Sequence, residues 1–475
     1  MVAGVGLPVH AGLVQLQQLP TLSLGGFQQA AASSAALPGQ TTASTAAPSV
    51  AAASALLTGA AALRSAGRGR RRHCGCTAGS VRSAVVLRAG GDQDFPLVNV
   101  ARGLSPAELT GPRVPMWVFR QAGRHMPEYN EYKAKTGKNF LELLRDPKDV
   151  AEVTLQPLRR YKVDAAILFS DILVVAEALG VRVEMPGGKG ILVPEPLRSP
   201  ADLSVLPAEA ETDTAAFVED KLSHVLAAVR LILEKMKEEG FGDRPLIGFS
   251  AAPWTLFFYM VGGSSRKNQK EGERWLAENQ EASKKLLDLL TKVIIEYLSA
   301  QARNGAHVLQ VFEAMGEHIS EENFTRWALP AMTEIAAELK RRHPTVPLMV
   351  FPRGASYSLA ALQTAGYDVV SVDTETNLGE AASALKAEAA RTGGGRVAAL
   401  QGNFDPKWLR TGEGGSVEVV RREVQRMFDS LGPVAGFGQN GLPALIANLG
   451  EGLNGTESVE LVAAFVDSVH ELSTK

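Results

Sequence analysis

From about residue 95 onward, short apolar runs the length of a strand alternate with longer amphipathic stretches the length of a helix. That alternation constrains the fold more than any other feature, because strands separated by helices pair in parallel through crossover connections. Eight runs occupy 115–119, 164–169, 245–249, 307–312, 347–351, 369–372, 397–401 and 444–449. Most are nearly continuous Val, Ile, Leu, Ala and Phe, the composition of strands covered on both faces. Helical stretches occupy 146–161, 213–239, 270–304 and 321–342 in the first half, then 359–364, 378–391, 416–431 and 458–472. Eight units in about 380 residues predict a single-domain α/β fold over 92–475, a (β/α)8 TIM-type barrel. An open sheet of eight strands is the alternative, since the runs do not by themselves register closure. The insertion at 181–194 alternates around a Gly-rich turn and predicts a β-hairpin.

Residues 1–91 break this pattern. No Asp or Glu precedes Asp92, Ala, Ser, Gly and Thr dominate, and the basic run Arg68-Gly-Arg-Arg-Arg72 falls here. An acid-free, Ser-rich, Arg-bearing leader predicts an organelle transit peptide, and its length and Ala content point to the chloroplast stroma. A low-complexity tail of other purpose is the alternative. Pro, Gly, Ser and Gln interrupt every apolar stretch that is a candidate for spanning a bilayer. Seven of the 49 basic residues lie in 1–91, which leaves 42 against 51 acids, a net charge of −9 for the remainder. A body this acidic is a poor partner for nucleic acid. Cys74 and Cys76, the two cysteines, also lie in the leader. The remainder therefore has no disulfide, no Cys nucleophile and no Cys-ligated metal.

In a barrel of this kind, chemistry sits where strands end and loops begin. Past the first run comes Arg120-Gln-Ala-Gly-Arg124-His-Met-Pro-Glu-Tyr129, and past the second Ser170-Asp171. The third leads into Ser250-Ala-Ala-Pro-Trp-Thr-Leu-Phe-Phe-Tyr259; then follow Glu313-Ala314, Arg353, Asp373, Asn403 and Glu451. Apolar strands opening onto polar ends are how a ligand pocket is built. Two guanidiniums at Arg120 and Arg124 suit bidentate recognition of carboxylate or phosphate. The plain alternative is a solvated face or pairing with Glu128; Gly123, allowing close backbone approach, and Pro127, ending the local structure, argue against it. Asp171 fits a helix N-cap as well as it fits catalysis. Tyr259 fits a core position, and Gly262-Gly263-Ser264-Ser265 fits a mobile connection better than a phosphate loop. His307, His224 and His470 read as structural or packing residues rather than ligands.

The block Met116-Trp-Val-Phe-Arg-Gln-Ala-Gly-Arg-His-Met-Pro-Glu-Tyr129 strongly resembles the N-terminal signature of the uroporphyrinogen decarboxylase family. Leu155-Gln-Pro-Leu-Arg-Arg-Tyr161 and Asp164-Ala-Ala-Ile-Leu-Phe-Ser-Asp-Ile-Leu-Val-Val175 resemble it in the same order. So do Leu246-Ile-Gly-Phe-Ser-Ala-Ala-Pro-Trp-Thr-Leu256, Leu400-Gln-Gly-Asn-Phe-Asp-Pro406 and Ile446-Ala-Asn-Leu-Gly450. The resemblance implies a cofactor-free, metal-free, homodimeric barrel enzyme of haem and chlorophyll synthesis. Its substrate would be a tetrapyrrole, uroporphyrinogen III, whose four acetates become methyl groups to give coproporphyrinogen III. By the same resemblance Asp171, Arg120 and Arg124 are the catalytic residues. Substrate binding would fall to Arg120, Gln121, Ala122, Gly123, Arg124, Asp171, Tyr259, Phe312, Ala314 and Glu451.

Two positions depart from the family pattern. Ala314 stands where a Ser follows the fourth strand, and Glu451 stands where a His follows the last. Lys133 also replaces a common Arg, and the Gly-rich segment after Tyr259 lacks its usual acid. An anion at 451 would repel a polycarboxylate unless it turned away or held a proton. Two further readings follow: a divergent paralogue that binds a tetrapyrrole with weak or no catalysis, and a related methyltransferase. The second of these requires Zn held by Cys and His, which a body without Cys does not supply.

Overall fold

The computed structural model describes residues 95–104, 113–185, 191–264, 266–393, 395–439 and 443–474. The expected leader at 1–91 lies outside them. Seven parallel strands form one sheet in chain order: β1 (Ala166–Ile167), β2 (Leu246–Ala251), β3 (Val308–Glu313), β4 (Leu348–Pro352), β5 (Val369–Ser371), β6 (Ala399–Phe404) and β7 (Leu445–Leu449). Helices separate the strands from β2 to β7, as the alternation predicts, and nearly every strand residue is buried.

The first predicted strand, 115–119, differs from expectation. It forms no ladder and pairs only through the parallel bridge Met116–Ala447. The reason is local. The amide of Val118 donates to Gln121 Oε1 at 3.2 Å and that of Phe119 to Asn448 Oδ1 at 2.8 Å, so side-chain amides replace ladder bonds. Even so, the run ties both edges of the sheet together. Ala447 N donates to Pro115 O at 2.9 Å on the β7 side, and Asp164 N donates to Met116 O at 2.8 Å beside β1. The architecture is barrel-like.

The interior agrees. Trp117 Nε1 donates to Gln401 Oε1 at 2.8 Å, and Gln401 Nε2 reaches Ser371 Oγ at 2.7 Å and Gln310 Oε1 at 3.3 Å. Buried polar groups must find partners, and these find them across the interior rather than along one strand. Above them lie four phenylalanines. Phe119 stacks on Phe312 with centroids 5.1 Å apart, while Phe249 and Phe351 meet that pair edge-on.

The helices depart from their predicted bounds in three places. The stretch 213–239 divides into Thr214–Lys221 and Ser223–Glu238, and 270–304 into Glu271–Glu278 and Gln280–Arg303. The third is a π turn at Phe324–Ala328 ahead of Leu329–Arg342. Pro330 has no N–H to donate back into the preceding turn, and a widened turn relieves that mismatch. The predicted hairpin is reduced to one antiparallel bridge, Glu184–Leu192; its turn lies partly outside the described residues. Among the described residues no helix is long and apolar enough to cross a membrane.

Candidate active site

Arg120 sits on the first turn after the run 115–119, with a left-handed backbone at φ 61°. A non-glycine residue there costs on the order of 1 kcal/mol and persists only where its surroundings fix it. They do so from three directions. Asn448 holds Phe119 N, Gln121 N donates to Val118 O at 2.8 Å, and Leu453 N donates to Phe119 O at 3.1 Å. The Arg120 side chain then crosses Gly452, where an added Cβ would come within 2.5 Å of Arg120 Cδ. Arg124 lies against Gly455 in the same way and donates from Nη2 to Asn454 O at 2.6 Å.

The loop after β7 is therefore the seat of both arginines. Glu451 belongs to that seat, half-buried, and makes no hydrogen bond or ion pair among the described residues.

The alternative partner for the arginines is already engaged: Glu128 pairs with Arg160. Pro127 opens the helix Pro127–Thr136 rather than ending a structure. Gly123 is not a point of close approach either, since a Cβ there would meet nothing nearer than Arg120 O at 3.9 Å. Gln121 is buried, and its side chain serves the fold. Nε2 donates to Ala165 O at 3.2 Å while Oε1 accepts from Val118 N. Ala122 and Gly123 are half-buried in the same loop.

Asp171 follows β1 by four residues. Its Oδ1 accepts from Leu173 N at 2.8 Å, an Asx turn, whereas the N-cap of the helix Val174–Ala178 is Leu173. Asp171 is thus two residues short of the capping position. No hydrogen bond of ordinary geometry reaches Oδ2 among the described residues, though the Ile172 amide also pulls the carboxyl down. Burial pushes the carboxyl up to about 6, against the pull of the Leu173 N–H and the charge of Arg120. For Arg120, desolvation lowers the pKa, Asp171 raises it, and Arg353 and Arg124 lower it. No hydrogen bond or ion pair holds the Arg120 guanidinium among the described residues; its recorded contact is with the Phe119 ring, 5.7 Å to the centroid.

Tyr259 lies on the helix Pro253–Gly262, which follows β2. Burial and the Asp171 charge raise its pKa, while Arg120 and Arg353 lower it, so it remains a neutral phenol with a proton to donate. Phe312 is 5 % exposed, and the half-exposed Phe119 lies flat against it, so Phe119 also presents a ring to the pocket. The resemblance names Phe312 alone, whereas Phe119, the last residue of its run, stacks on it and is the more exposed of the two rings.

The polar residues after β3 to β6 behave differently. Glu313 is fully buried; Oε1 accepts from Thr255 Oγ1 at 2.6 Å and Met315 N at 3.0 Å, and Oε2 has no partner among the described residues. Burial pushes this carboxyl up to about 7. Ala314 N donates to Thr255 Oγ1 at 2.8 Å. Asp373 accepts from Gly354 N at 2.9 Å and from Thr376 Oγ1 at 2.5 Å. Asn403 Nδ2 donates to Asp373 O at 2.8 Å and Thr376 O at 2.7 Å.

The remaining predictions fall away from this pocket. His307 Nδ1 accepts from Leu246 N at 3.0 Å, and His470 Nε2 lies 2.9 Å from Asp164 Oδ2. His224 is half-buried, with a pKa lowered by burial. Ser264 Oγ accepts from Val193 N at 3.1 Å, a connection rather than a cradle, and Ser265 lies outside the described residues.

The site thus offers an open carboxylate, unpaired guanidinium, a phenol and an aromatic face, a set suited to an aromatic polycarboxylate. The family described as uroporphyrinogen decarboxylase (URO-D) matches residues 96–472. The uroporphyrinogen decarboxylase of Salinibacter ruber is 42 % identical over 377 residues, 79 % of this chain and 95 % of that one. Those of mouse and human are 40 % and 38 % identical, each over 76 % of this chain and 90 % of theirs. Among solved structures, a methyltransferase from Methanosarcina mazei superposes with a TM-score of 0.60 over 79 % of this chain and 97 % of its own. At 19 % identity that likeness is one of fold alone. On the match of family and relatives over nearly all of the described residues, the chain belongs to the uroporphyrinogen decarboxylase family.

Proposed function

We infer that this chain decarboxylates uroporphyrinogen III, converting its four acetate side chains to methyl groups and giving coproporphyrinogen III. The observation that carries the reading is Asp171, bonded through one oxygen only to its own turn, under the charge of an Arg120 that no hydrogen bond or ion pair holds among the described residues.

Each step exchanges one CO₂ for one proton. Cleavage of the acetate C–C bond leaves an electron pair, which a pyrrole protonated on ring carbon accepts. A proton then added to the exocyclic carbon completes the methyl group, and loss of the ring proton restores the pyrrole. The intermediate is cationic before CO₂ leaves. Asp171 stabilises that charge, accepting the pyrrole N–H groups at Oδ2. With the Arg120 charge beside it, the Asp171 carboxyl is held near 6 and its anionic form predominates at neutral pH. Arg120 and Arg124 hold side-chain carboxylates, and Arg120, or a water it positions, serves in proton transfer. Tyr259 donates to a substrate carboxylate, and the Phe119 and Phe312 rings receive the macrocycle. In this reading the substrate is its own electron sink and no cofactor takes part.

Four further assignments belong to the same proposal. The edge-to-edge hydrogen bonds of the run 115–119 support closure into a full (β/α)8 barrel over 92–475. The acid-free composition of 1–91 supports a cleaved transit peptide and a chloroplast stromal location. That location would feed chlorophyll as well as haem. The last assignment is a homodimer, which rests on the resemblance to the family.

The test is anaerobic incubation of the full chain with uroporphyrinogen III, with products resolved by carboxylate number. Coproporphyrinogen III is the expected product. A folded chain that binds uroporphyrin yet releases no decarboxylated product would overturn the reading in favour of a tetrapyrrole-binding paralogue, with Glu451 the first position to revert to His.

A further inference from the structure

Arg353 is the one strand-end cation to which neither the signature block nor the mechanism above gives a role. Its position is fixed by the sheet. Glu313 of β3 registers with Pro352 of β4, so Ala314 and Arg353 leave the sheet side by side. The amide of Arg353 donates to Glu313 O at 2.9 Å, which pins its backbone to that edge. Phe351, two residues before it, meets both Phe119 and Phe312 edge-on, so Arg353 and Arg120 follow members of one aromatic cluster. The charge of Arg353 also bears on the Arg120 guanidinium and the Tyr259 hydroxyl.

The plain account of Arg353 is a surface ion pair with Glu317, Nη1 to Oε1 at 3.3 Å. Two observations weigh against that as its whole role. The contact is single and long, and its side chains are 38 % and 49 % exposed, the kind of pair that adds little to stability. Meanwhile the charges of Arg124 and Arg353 each disfavour the charge on Arg120. Like charges held together in this way store repulsion that a polyanion relieves.

We propose that Arg353 is a carboxylate-binding residue of this site. It exchanges the exposed Glu317 for a substrate side-chain carboxylate and grips it through two parallel N–H bonds, a geometry available to guanidinium and not to ammonium. It stands beside Ala314, whose methyl offers no hydrogen bond, and supplies the donor on that side of the pocket. This rests on the decarboxylase reading for its substrate, but not for its chemistry: the ligand it recognises is a polycarboxylate ring.

The test compares the full chain with Arg353→Gln, Arg353→Lys and Glu317→Gln, each checked for an unchanged circular dichroism spectrum and melting temperature. With uroporphyrinogen III, Arg353→Gln should raise KM roughly ten- to a hundredfold with a smaller change in kcat. Arg353→Lys should recover part of the loss. Glu317→Gln should leave KM unchanged or lower it, because it frees the guanidinium. A KM for Arg353→Gln within about twofold of the parent would overturn the proposal. So would a rise in KM for Glu317→Gln equal to that of Arg353→Gln, which would make the pair merely structural. Direct binding of uroporphyrin, an octacarboxylate that cannot turn over, separates the two readings. If the parent binds it and does not decarboxylate uroporphyrinogen, the enzyme reading fails, and loss of uroporphyrin affinity in Arg353→Gln still decides the role of Arg353.

Discussion

Two arcs of loops face each other across the strand ends, and they use the same residue types to opposite purposes. On one arc, after the run 115–119, β1 and β7, polar side chains are left open: Arg120 has no hydrogen-bonding partner among the described residues, and Asp171 bonds only to its own turn. On the other, after β3 to β6, most are consumed by one another. Asp373 accepts from Gly354 and Thr376, Asn403 donates to the backbone beside it, and Glu313 is sealed beneath Thr255. The contrast shows that a polar residue at a strand end is evidence of chemistry only once its hydrogen bonds have been accounted for. Arg353, held by one exposed contact, is the member of the second arc that behaves like the first.

Substitutions that respect this contrast should fall into a hierarchy. Asp171→Asn removes the charge and keeps the shape, so turnover should drop by on the order of 10²–10³-fold with the melting temperature nearly unchanged. Undiminished turnover in steady-state assays would break the distinction between the arcs. Gly452→Val should act on the same arc at second hand. Its branched side chain would occupy the space of Arg120 Cδ, and kcat/KM should fall up to about a hundredfold while the barrel remains folded.

Glu313→Gln should speak to stability instead, with a definite dependence on pH. The folded carboxyl sits near 7 against an ordinary 4.5, so the folded state holds the proton more tightly between those values. Its contribution to stability therefore declines as pH rises from about 4.5 to about 7, and the full penalty stands above that range. The amide carries no such penalty. Urea denaturation should show Glu313→Gln gaining roughly 1–3 kcal/mol on the parent at pH 8 and far less at pH 5. An equal difference at both pH values would mean that the buried carboxyl does not titrate in this range. The smallest effect belongs to Asp373→Ala, which should cost about 1–2 kcal/mol of stability and leave turnover close to that of the parent. A large loss of activity there would place Asp373 among the functional groups.

Most of the scaffold was legible in the sequence because burial on both faces writes itself as continuous apolar runs, and seven of the eight runs contain a ladder strand. The exception, 115–119, is apolar like the rest. What unmakes its ladder is competition from Gln121 and Asn448, which periodicity does not register. Helix bounds were less legible at Leu222 and Asn279, where amphipathic character continues through a break in the backbone. In the site, Asp171, Asp373 and Glu451 read alike: an acid just past a strand. Their separation depends on contacts between distant segments. Glu451 in particular reads as an isolated departure from the family pattern, yet Gly452 and Gly455 in the same loop are the surfaces on which Arg120 and Arg124 rest.

The run 115–119 also bears on how the molecule comes into being. Phe119 is locked by Asn448, 329 residues further along the chain. As the chain leaves the ribosome, the segment bearing Arg120 emerges early and must wait for nearly everything that follows. Until Ala447 arrives, both edges of the nascent sheet stand unpaired, a state prone to sticking to other chains. Competence is therefore an end-of-synthesis event. A chain stopped shortly before residue 444 would carry the whole signature block and still have nowhere to put its arginines.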